Sequence, residues 1–175
     1  MALLETVARA FAEAGMCVLR CDLPFRLRRP HGPPSPANAA EDRAGLKEAA
    51  AVIRGLVPGR VFLGGQSYGG RQASVLAAED GAVTDGLLLL SYPLHPPGKP
   101  QQARTSHWPA LRTPVLFVHG SRDPFASSEE LCAAVRLIPA PTQIVEIQGA
   151  GHDLARGAWN AAELVVEPFL ELIAR

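Results

Sequence analysis

Cysteine, lysine and net charge are all scarce in this sequence, and each shortage closes off a class of protein. There are only 3 cysteines in 175 residues, an odd number that no disulfide framework uses up. Cys17 and Cys21 stand four apart in a stretch that reads as extended, so they face one side. Neither has the histidine or second cysteine pair that zinc needs, so no metal and no organic cofactor is expected. Basic and acidic side chains number 17 each, for a formal net charge of +0, and this suggests neither nucleic acid nor any other polyanion as a partner. Lysine is almost absent while arginine is common, which reads as coding bias of the source. No segment approaches the roughly 20 apolar residues of a membrane span, and the run Gly86-Leu87-Leu88-Leu89-Leu90 has the length of a buried strand. The N-terminal residues place Leu3, Leu4, Val7 and Phe11 on one face of a helix that also carries Glu5 and Arg9, which is no signal peptide. A cytoplasmic protein that binds no membrane is the expectation.

The residues that are present suit one α/β domain over residues 1–175, since a chain of this length with 47% hydrophobic residues buries a substantial core. The elements alternate. A helix over about 2–13 stops at Gly15, Met16-Cys17-Val18-Leu19-Arg20 reads as a strand, and residues 24–36 form a proline- and arginine-rich loop. Asn38, with Glu41 three positions on, caps a helix that presents Leu46, Ala50, Ile53 and Val57 before Pro58-Gly59 ends it. Strands are expected at 60–64, 86–91, 114–118 and 143–147. Between them run a loop over 93–113 and a helix opened by the Ser127–Glu130 capping box, which carries Leu131, Val135 and Ile138. A last helix from about Ala158 turns Leu164, Val165 and Phe169 inward. Such alternation predicts a mainly parallel sheet with right-handed crossovers.

Gly65-Gln66-Ser67-Tyr68-Gly69 sits where the strand at 60–64 meets a small-residue helix. This is the context of a nucleophile elbow, in which glycines permit a turn so tight that the serine hydroxyl stands clear over a helix N-terminus. Downstream, the strand 114–118 leads through His119-Gly120-Ser121-Arg122 to Asp123, and the strand 143–147 is followed by Gly149-Ala150-Gly151-His152. A serine, an acid and a histidine in that order, each beyond the C-terminal end of a different strand, is the chain order of α/β-hydrolase triads. Asp153 is the competing acid, but a residue adjacent to the histidine does not easily reach its far nitrogen.

The segments Gly64-Gly65-Gln66-Ser67-Tyr68-Gly69-Gly70-Arg71, Asp22-Leu23-Pro24-Phe25, Ser91-Tyr92-Pro93-Leu94-His95-Pro96-Pro97-Gly98-Lys99, 117–125 and 149–152 together resemble the small α/β-hydrolases related to dienelactone hydrolase. The subgroup most similar is the one with the testis-expressed protein 30 and the hydrolase-like domain of subunit 3 of the nonspecific lethal chromatin complex. The resemblance implies an α/β-hydrolase fold, shortened at its N-terminus and without a large lid. It implies Ser67 as nucleophile, Asp123 as acid, His152 as base and the Tyr68 backbone N–H as oxyanion donor, with a small-molecule acyl ester or thioester as substrate. The 93–113 segment is too short for a large helical lid, which favours small soluble substrates. Arg26, Arg28 and Arg29 after a strand end, Arg71 one turn into the elbow helix, and His95 and Lys99 near the mouth are the candidates for substrate contact.

Relatives begin with strands ahead of the first helix, and the loop after the last of these supplies a second oxyanion donor, whose loss typically costs about 10²–10³ in rate. Their corresponding strand also lies between those at 16–20 and 60–64. Three arrangements are therefore expected: a natural chain that starts further upstream, a first strand closed directly onto the elbow strand in a five-stranded sheet, or a partner chain in the gap. Uncovered sheet edges are compatible with a dimer. A catalytically weak interaction protein on a hydrolase fold is the alternative reading, and an acyltransferase would use the same serine.

Overall fold

The computed structural model describes residues 2–154 and 159–173. Four strands, β1 (Leu63–Gln66), β2 (Leu87–Leu90), β3 (Val115–Gly120) and β4 (Thr142–Ile147), pair in parallel in the order β1-β2-β3-β4. Their register brings Gln66, Leu90, Val118 and Val145 level across the sheet, so the loops after β1, β2, β3 and β4 all leave from one edge. That edge is where ligands bind in open α/β sheets.

Both faces of the sheet are covered, which is why β2 reads as an unbroken leucine run. Side chains alternate across a strand. Leu87, Leu89, Val115 and Phe117 pack into one cluster with α3 (Ala39–Leu56) and α4 (Tyr68–Glu79). Leu88, Leu90, Leu116 and Val118 pack into a second with α1 (Ala2–Glu13) and the C-terminal helix. Trp108, Tyr92 and Phe117 stack as a fully buried group that pins the 93–113 segment down. That segment contains only two single 3₁₀ turns, Pro100–Gln102 and Trp108–Ala110, and no lid helix.

Several elements differ from the sequence reading. The proline- and arginine-rich loop contains α2 (Pro24–Arg28), a short helix for which Pro24 presets the first turn. Asn38 makes no side-chain cap, because a 3₁₀ turn over Pro36–Asn38, capped by Ser35 Oγ, leaves it already helical. Glu41 pairs instead with Arg28. The Ser127–Glu130 capping box at the start of α5 (Ser128–Ala134) is complete, with Ser127 Oγ accepting from Glu130 N–H at 3.2 Å and Glu130 Oε2 accepting from Ser127 N–H at 2.7 Å. The last helix is a π-helical turn over Ala162–Val166 that leads into α6 (Glu167–Ile173), with Val165 and Phe169 buried; its expected start at Ala158 lies outside the described residues.

The larger correction concerns Met16–Arg20. It is not a strand, and the sheet does not close onto it. Among the described residues the backbone of 17–22 forms no hydrogen bond, and a cavity of about 1000 Å³ separates it from β1. Val7 and Phe11 of α1, Val18, Ile53 of α3 and Leu63 line this space, which reaches Gln66, Ser67 and Tyr68 at one end. Leu63 and Ser67 give their N–H groups to Gly86 and Leu90 on the β2 side, so alternation turns the backbone groups of Gly64 and Gln66 toward the cavity. A strand residue between two covering layers occupies roughly 160 Å³, from a rise of ~3.3 Å, a strand spacing of ~4.8 Å and a layer spacing of ~10 Å. The cavity thus has about the volume of six strand residues, which is why the two edges are too far apart to pair. Among the described residues no helix is long and apolar enough to cross a membrane.

Candidate active site

The elbow is built by an enforced backbone approach. Ser67 joins β1 to α4 at φ +52° and ψ −119°, a left-handed conformation that costs a non-glycine residue about 1–3 kcal/mol. It is held from both sides, by its own N–H on Leu90 O at 2.8 Å and by Arg71 N–H on its carbonyl at 3.0 Å. The glycines that permit the crossing are Gly65 and Gly70: a Cβ on Gly65 would lie 2.7 Å from Gly70 N, and one on Gly70 would lie 2.6 Å from Gly65 O. Gly69, the glycine of the sequence pattern, would meet nothing within 4 Å. The pattern located the turn and named the wrong second glycine, because the close contact falls one residue further into the helix.

The turn at the end of β3 places Asp123, whose N–H returns to Gly120 O at 2.9 Å. Gly120 is required there, since a Cβ would sit 2.5 Å from Ala150 O in the loop that carries the histidine. Asp123 is buried, and Oδ1 accepts Phe125 N–H at 2.9 Å. His152 Nδ1 lies 3.0 Å from Oδ1 and 2.8 Å from Oδ2 of Asp123, and its Nε2 lies 2.8 Å from Ser67 Oγ. A carboxylate only accepts, so Nδ1 carries the hydrogen and Nε2 offers a lone pair to the Ser67 hydroxyl. Asp123, the expected acid, is thus the carboxylate that meets Nδ1 of His152. Two contacts with no signature in the sequence hold the imidazole in place. The Phe125 ring packs on it at 4.2 Å between centroids, and Gln66 Nε2 donates to His152 O at 3.2 Å. Beneath Asp123, buried His119 bonds Ala126 O through Nε2 at 3.0 Å and keeps Nδ1 3.9 Å from Asp123 Oδ2.

The Tyr68 N–H opens α4 directly after Ser67 and, in the first turn, has no acceptor within the helix. Its side chain turns away, with the hydroxyl donating to Asp42 Oδ2 at 2.7 Å and the ring edge-on to Phe25. Burial, then the hydrogen bond to Asp42, pushes that phenol well above its ordinary range. Asp42 is itself fully buried and takes Phe25 N–H at 2.9 Å, so it fixes α2 against the elbow helix. Nothing in the sequence distinguishes it from any acid in a first helical turn.

The remaining candidates fall in different places. Arg26 folds onto its own loop, donating to Pro30 O at 2.9 Å over the Phe25 ring. Arg28 is tied to Glu41, and Arg29 and Lys99 are exposed. His95 is buried with both nitrogens engaged, Nδ1 at 2.9 Å from Pro96 O and Nε2 at 3.1 Å from Glu130 Oε2. Those two contacts raise its proton affinity, the Pro96 carbonyl most. Arg71 alone among the candidates has a buried guanidinium nitrogen that meets no acceptor among the described residues. Among the described residues no group of three metal-ligating side chains converges.

The helix-flanked parallel sheet and the serine at its elbow are those of an α/β-hydrolase. The family model described as alpha/beta hydrolase domain matches residues 1–163, and the chain belongs to that family. Among solved structures, it is similar to a dienelactone hydrolase from Anabaena variabilis at 21% identity, with a TM-score of 0.72 over 98% of this chain and 77% of the other. It is similar to Est1E from Butyrivibrio proteoclasticus with ferulic acid bound, at 20% identity and a TM-score of 0.71 over 98% and 83%. An alpha-beta serine hydrolase homologue from Coxiella burnetii matches at 20% identity and a TM-score of 0.66 over 98% and 72%.

Proposed function

We propose that the protein is a serine hydrolase that cleaves small ester or thioester substrates through an acyl-enzyme on Ser67. The observation that carries this is the unbroken relay from Asp123 through His152 to Ser67, with each link at 2.8–3.0 Å. His152 Nε2 takes the proton as Ser67 Oγ attacks the acyl carbonyl, and Asp123 stabilises the imidazolium that forms. The resulting oxyanion is met by the Tyr68 N–H at the positive end of α4. His152 returns the proton to the leaving group, then activates a water that releases the acid. The 93–113 segment, packed down through Trp108 and Leu111, carries two 3₁₀ turns and no lid helix, which favours small soluble substrates over long lipids. Within the family, we infer kinship with the dienelactone-hydrolase-like group and its testis-expressed protein 30 subgroup, and the cytoplasm is the inferred location.

A second reading, a hydrolase-fold interaction protein with little turnover, is favoured by the open outer edge of β1 and the cavity beside it. Labelling with a fluorophosphonate probe and turnover of short p-nitrophenyl esters separate the two. The hydrolase reading expects labelling that Ser67→Ala abolishes. A folded protein that neither labels nor turns over any short ester refutes it and leaves the interaction reading.

A further inference from the structure

His95 is buried, and both of its ring nitrogens meet acceptors: Nδ1 lies 2.9 Å from Pro96 O, and Nε2 lies 3.1 Å from Glu130 Oε2. A carbonyl and a carboxylate accept and do not donate, so a neutral imidazole, with its single N–H, would leave a lone pair facing one of them. The imidazolium satisfies both. Glu130 is held as the carboxylate, its proton affinity lowered by the Ser127 N–H first and by His95 next. The charged groups that act on the ring are Glu130 from α5, which favours the proton, and Arg104 from its own segment, which opposes it. The turn that His95 packs against adds Asp123, whose oxygens are engaged by Phe125 N–H and His152.

The pair closes a ring of hydrogen bonds around the turn after β3. The His95 backbone N–H donates to Phe125 O at 3.1 Å, the Ser127 N–H donates to Glu130 Oε2 at 2.7 Å, and that same oxygen faces His95 Nε2. Residues 125–127 are thereby held between the 93–113 segment and the first turn of α5, while His119 Nε2 ties Ala126 O from β3 at 3.0 Å. Phe125 is the part of this ring that touches the relay. Its N–H donates to Asp123 Oδ1 at 2.9 Å, and its side chain lies on the His152 imidazole with 4.2 Å between centroids and 34° between planes. An aromatic face attracts a cation, so Phe125 favours the imidazolium that His152 becomes on taking the Ser67 proton.

We propose that His95 is a positioning residue of the relay: as an imidazolium on Glu130 it closes the clamp that sets Phe125 against His152 and Asp123. It acts through Phe125 and not on the substrate. The inference rests on Ser67 as nucleophile and names what holds the base of that reading in place. The clamp also has a pH dependence. His95 binds its proton more tightly in the folded chain than a free histidine, whose ordinary value is 6.5, with the Pro96 carbonyl the largest cause and Glu130 next in favour. The clamp is therefore complete below pH 6.5 and is released as the pH rises through the higher folded value.

The test titrates the ring nitrogens of isotope-labelled histidine by NMR, with signals assigned through His95→Gln and His152→Gln, in the parent and in Glu130→Gln. Glutamine keeps an acceptor for the Ser127 N–H but removes the charge facing His95. His95 is expected to carry hydrogen on both nitrogens at pH 6.5, to lose one at higher pH than a free histidine, and to lose it earlier in Glu130→Gln, with the His152 signals changing as it does. A parent His95 that is mostly neutral at pH 6.5, or His152 signals indifferent to its proton, overturns the proposal. These readings need no turnover, so a parent that cleaves no ester counts against Ser67 as nucleophile and leaves the clamp to be decided by NMR. On a short p-nitrophenyl ester, His95→Gln is expected to lower kcat by about 10-fold with KM little changed, and Glu130→Gln to move the alkaline fall in kcat to lower pH. Lost thermal stability with kcat and its pH profile unmoved would mean a structural role only and refutes the proposal. Should Glu130→Gln fail to fold, the parent titration decides, since the His152 signals either follow the His95 proton or do not.

Discussion

Replacing Asp123 by asparagine removes one charge and puts an NH₂ donor in place of one carboxylate oxygen, and the buried surroundings set the outcome. The side chain is fully buried, so water cannot substitute for either oxygen. Oδ1 accepts Phe125 N–H at 2.9 Å, and an asparagine there keeps its single carbonyl on that donor and turns its NH₂ toward His152. The imidazole must then accept at Nδ1 and carry its hydrogen on Nε2, where it opposes the Ser67 hydroxyl 2.8 Å away instead of accepting from it. The flipped amide would restore the tautomer, but it would set an NH₂ against Phe125 N–H at a cost of about 1–3 kcal/mol and would still lack the negative charge facing the imidazolium. Lost activity is therefore expected between about 10² and 10⁴ in kcat, the upper value being about 5.4 kcal/mol of transition-state stabilisation. The assay is kcat on a short p-nitrophenyl ester together with the fluorophosphonate labelling rate, both at neutral pH, with the melting curve as a check on folding. A folded Asp123→Asn protein within tenfold of the parent on both readouts would refute the role given to the carboxylate.

Three further outcomes rest on the same geometry. Gly65→Ala drives a Cβ to 2.7 Å from Gly70 N and 2.8 Å from Gly69 C; both are main chain, so a loss of about 1–3 kcal/mol is expected, or about 2–4 °C per kcal/mol at this chain length. Gly69→Ala, which meets nothing within 4 Å, is expected to stay within about ±0.5 kcal/mol, and equal melting shifts for the two would sink this account of the elbow. His107 is held neutral, its pKa pushed down to about 4 by burial first and Arg71 second, against 6.5 for the free side chain. The unfolded chain therefore binds more protons at this position between pH 6.5 and about 4. Stability is retained above that window and lost as the pH falls through it, by about 1–2 kcal/mol after solvent screening is discounted. Denaturant titrations in which His107→Gln keeps the parent's slope across the window would contradict this. In hydrogen exchange, the amides of 17–22 and of Gly64 and Gln66 are expected to exchange far faster than those of Leu88 and Leu89, because the former bond no other backbone group. Strong protection at Gly64 and Gln66 would mean that the edge of β1 is covered.

The parts of the fold legible in the sequence are those where a local pattern and a buried environment agree. The leucine run of β2, the Ser127–Glu130 box and the order of serine, acid and histidine each carry their own physical reason, and each lies where the pattern places it. Met16–Arg20 failed because a strand is a relation between two edges, and its apolar content says nothing about whether a neighbour is within reach. Asn38 failed for a smaller version of the same reason: whether a side chain caps a helix depends on the backbone before it, which a 3₁₀ turn had already committed. Gly70, Phe125, Gln66 and Asp42 act only through neighbours brought close by the fold, so their residue types held no signal. Arg71 is visible in the sequence as a charge near the elbow, but that no acid among the described residues meets it depends on where each carboxylate comes to lie.

The three members of the relay do not stand on equal footing. Asp123 leaves β3, which is paired on both sides, and the two strands flanked by the acid and histidine loops are in register over six residue pairs, from Val115 opposite Thr142 to Gly120 opposite Ile147. Ser67 leaves β1, an edge strand with four residue pairs to β2 and a cavity on its other side. Asp123 and His152 are thus set by the longer ladder, six pairs against four, while Ser67 leaves the shorter one beside the cavity. What compensates is local. The Gly65–Gly70 contact, the Ser67 N–H on Leu90 O and the Gln66 amide on His152 O fix the elbow at three points within a few residues of the hydroxyl. Because the strained φ of Ser67 persists only where its surroundings over-determine it, loss of geometry in this protein should begin at β1, with the Ser67–His152 bond broken before the His152–Asp123 bond.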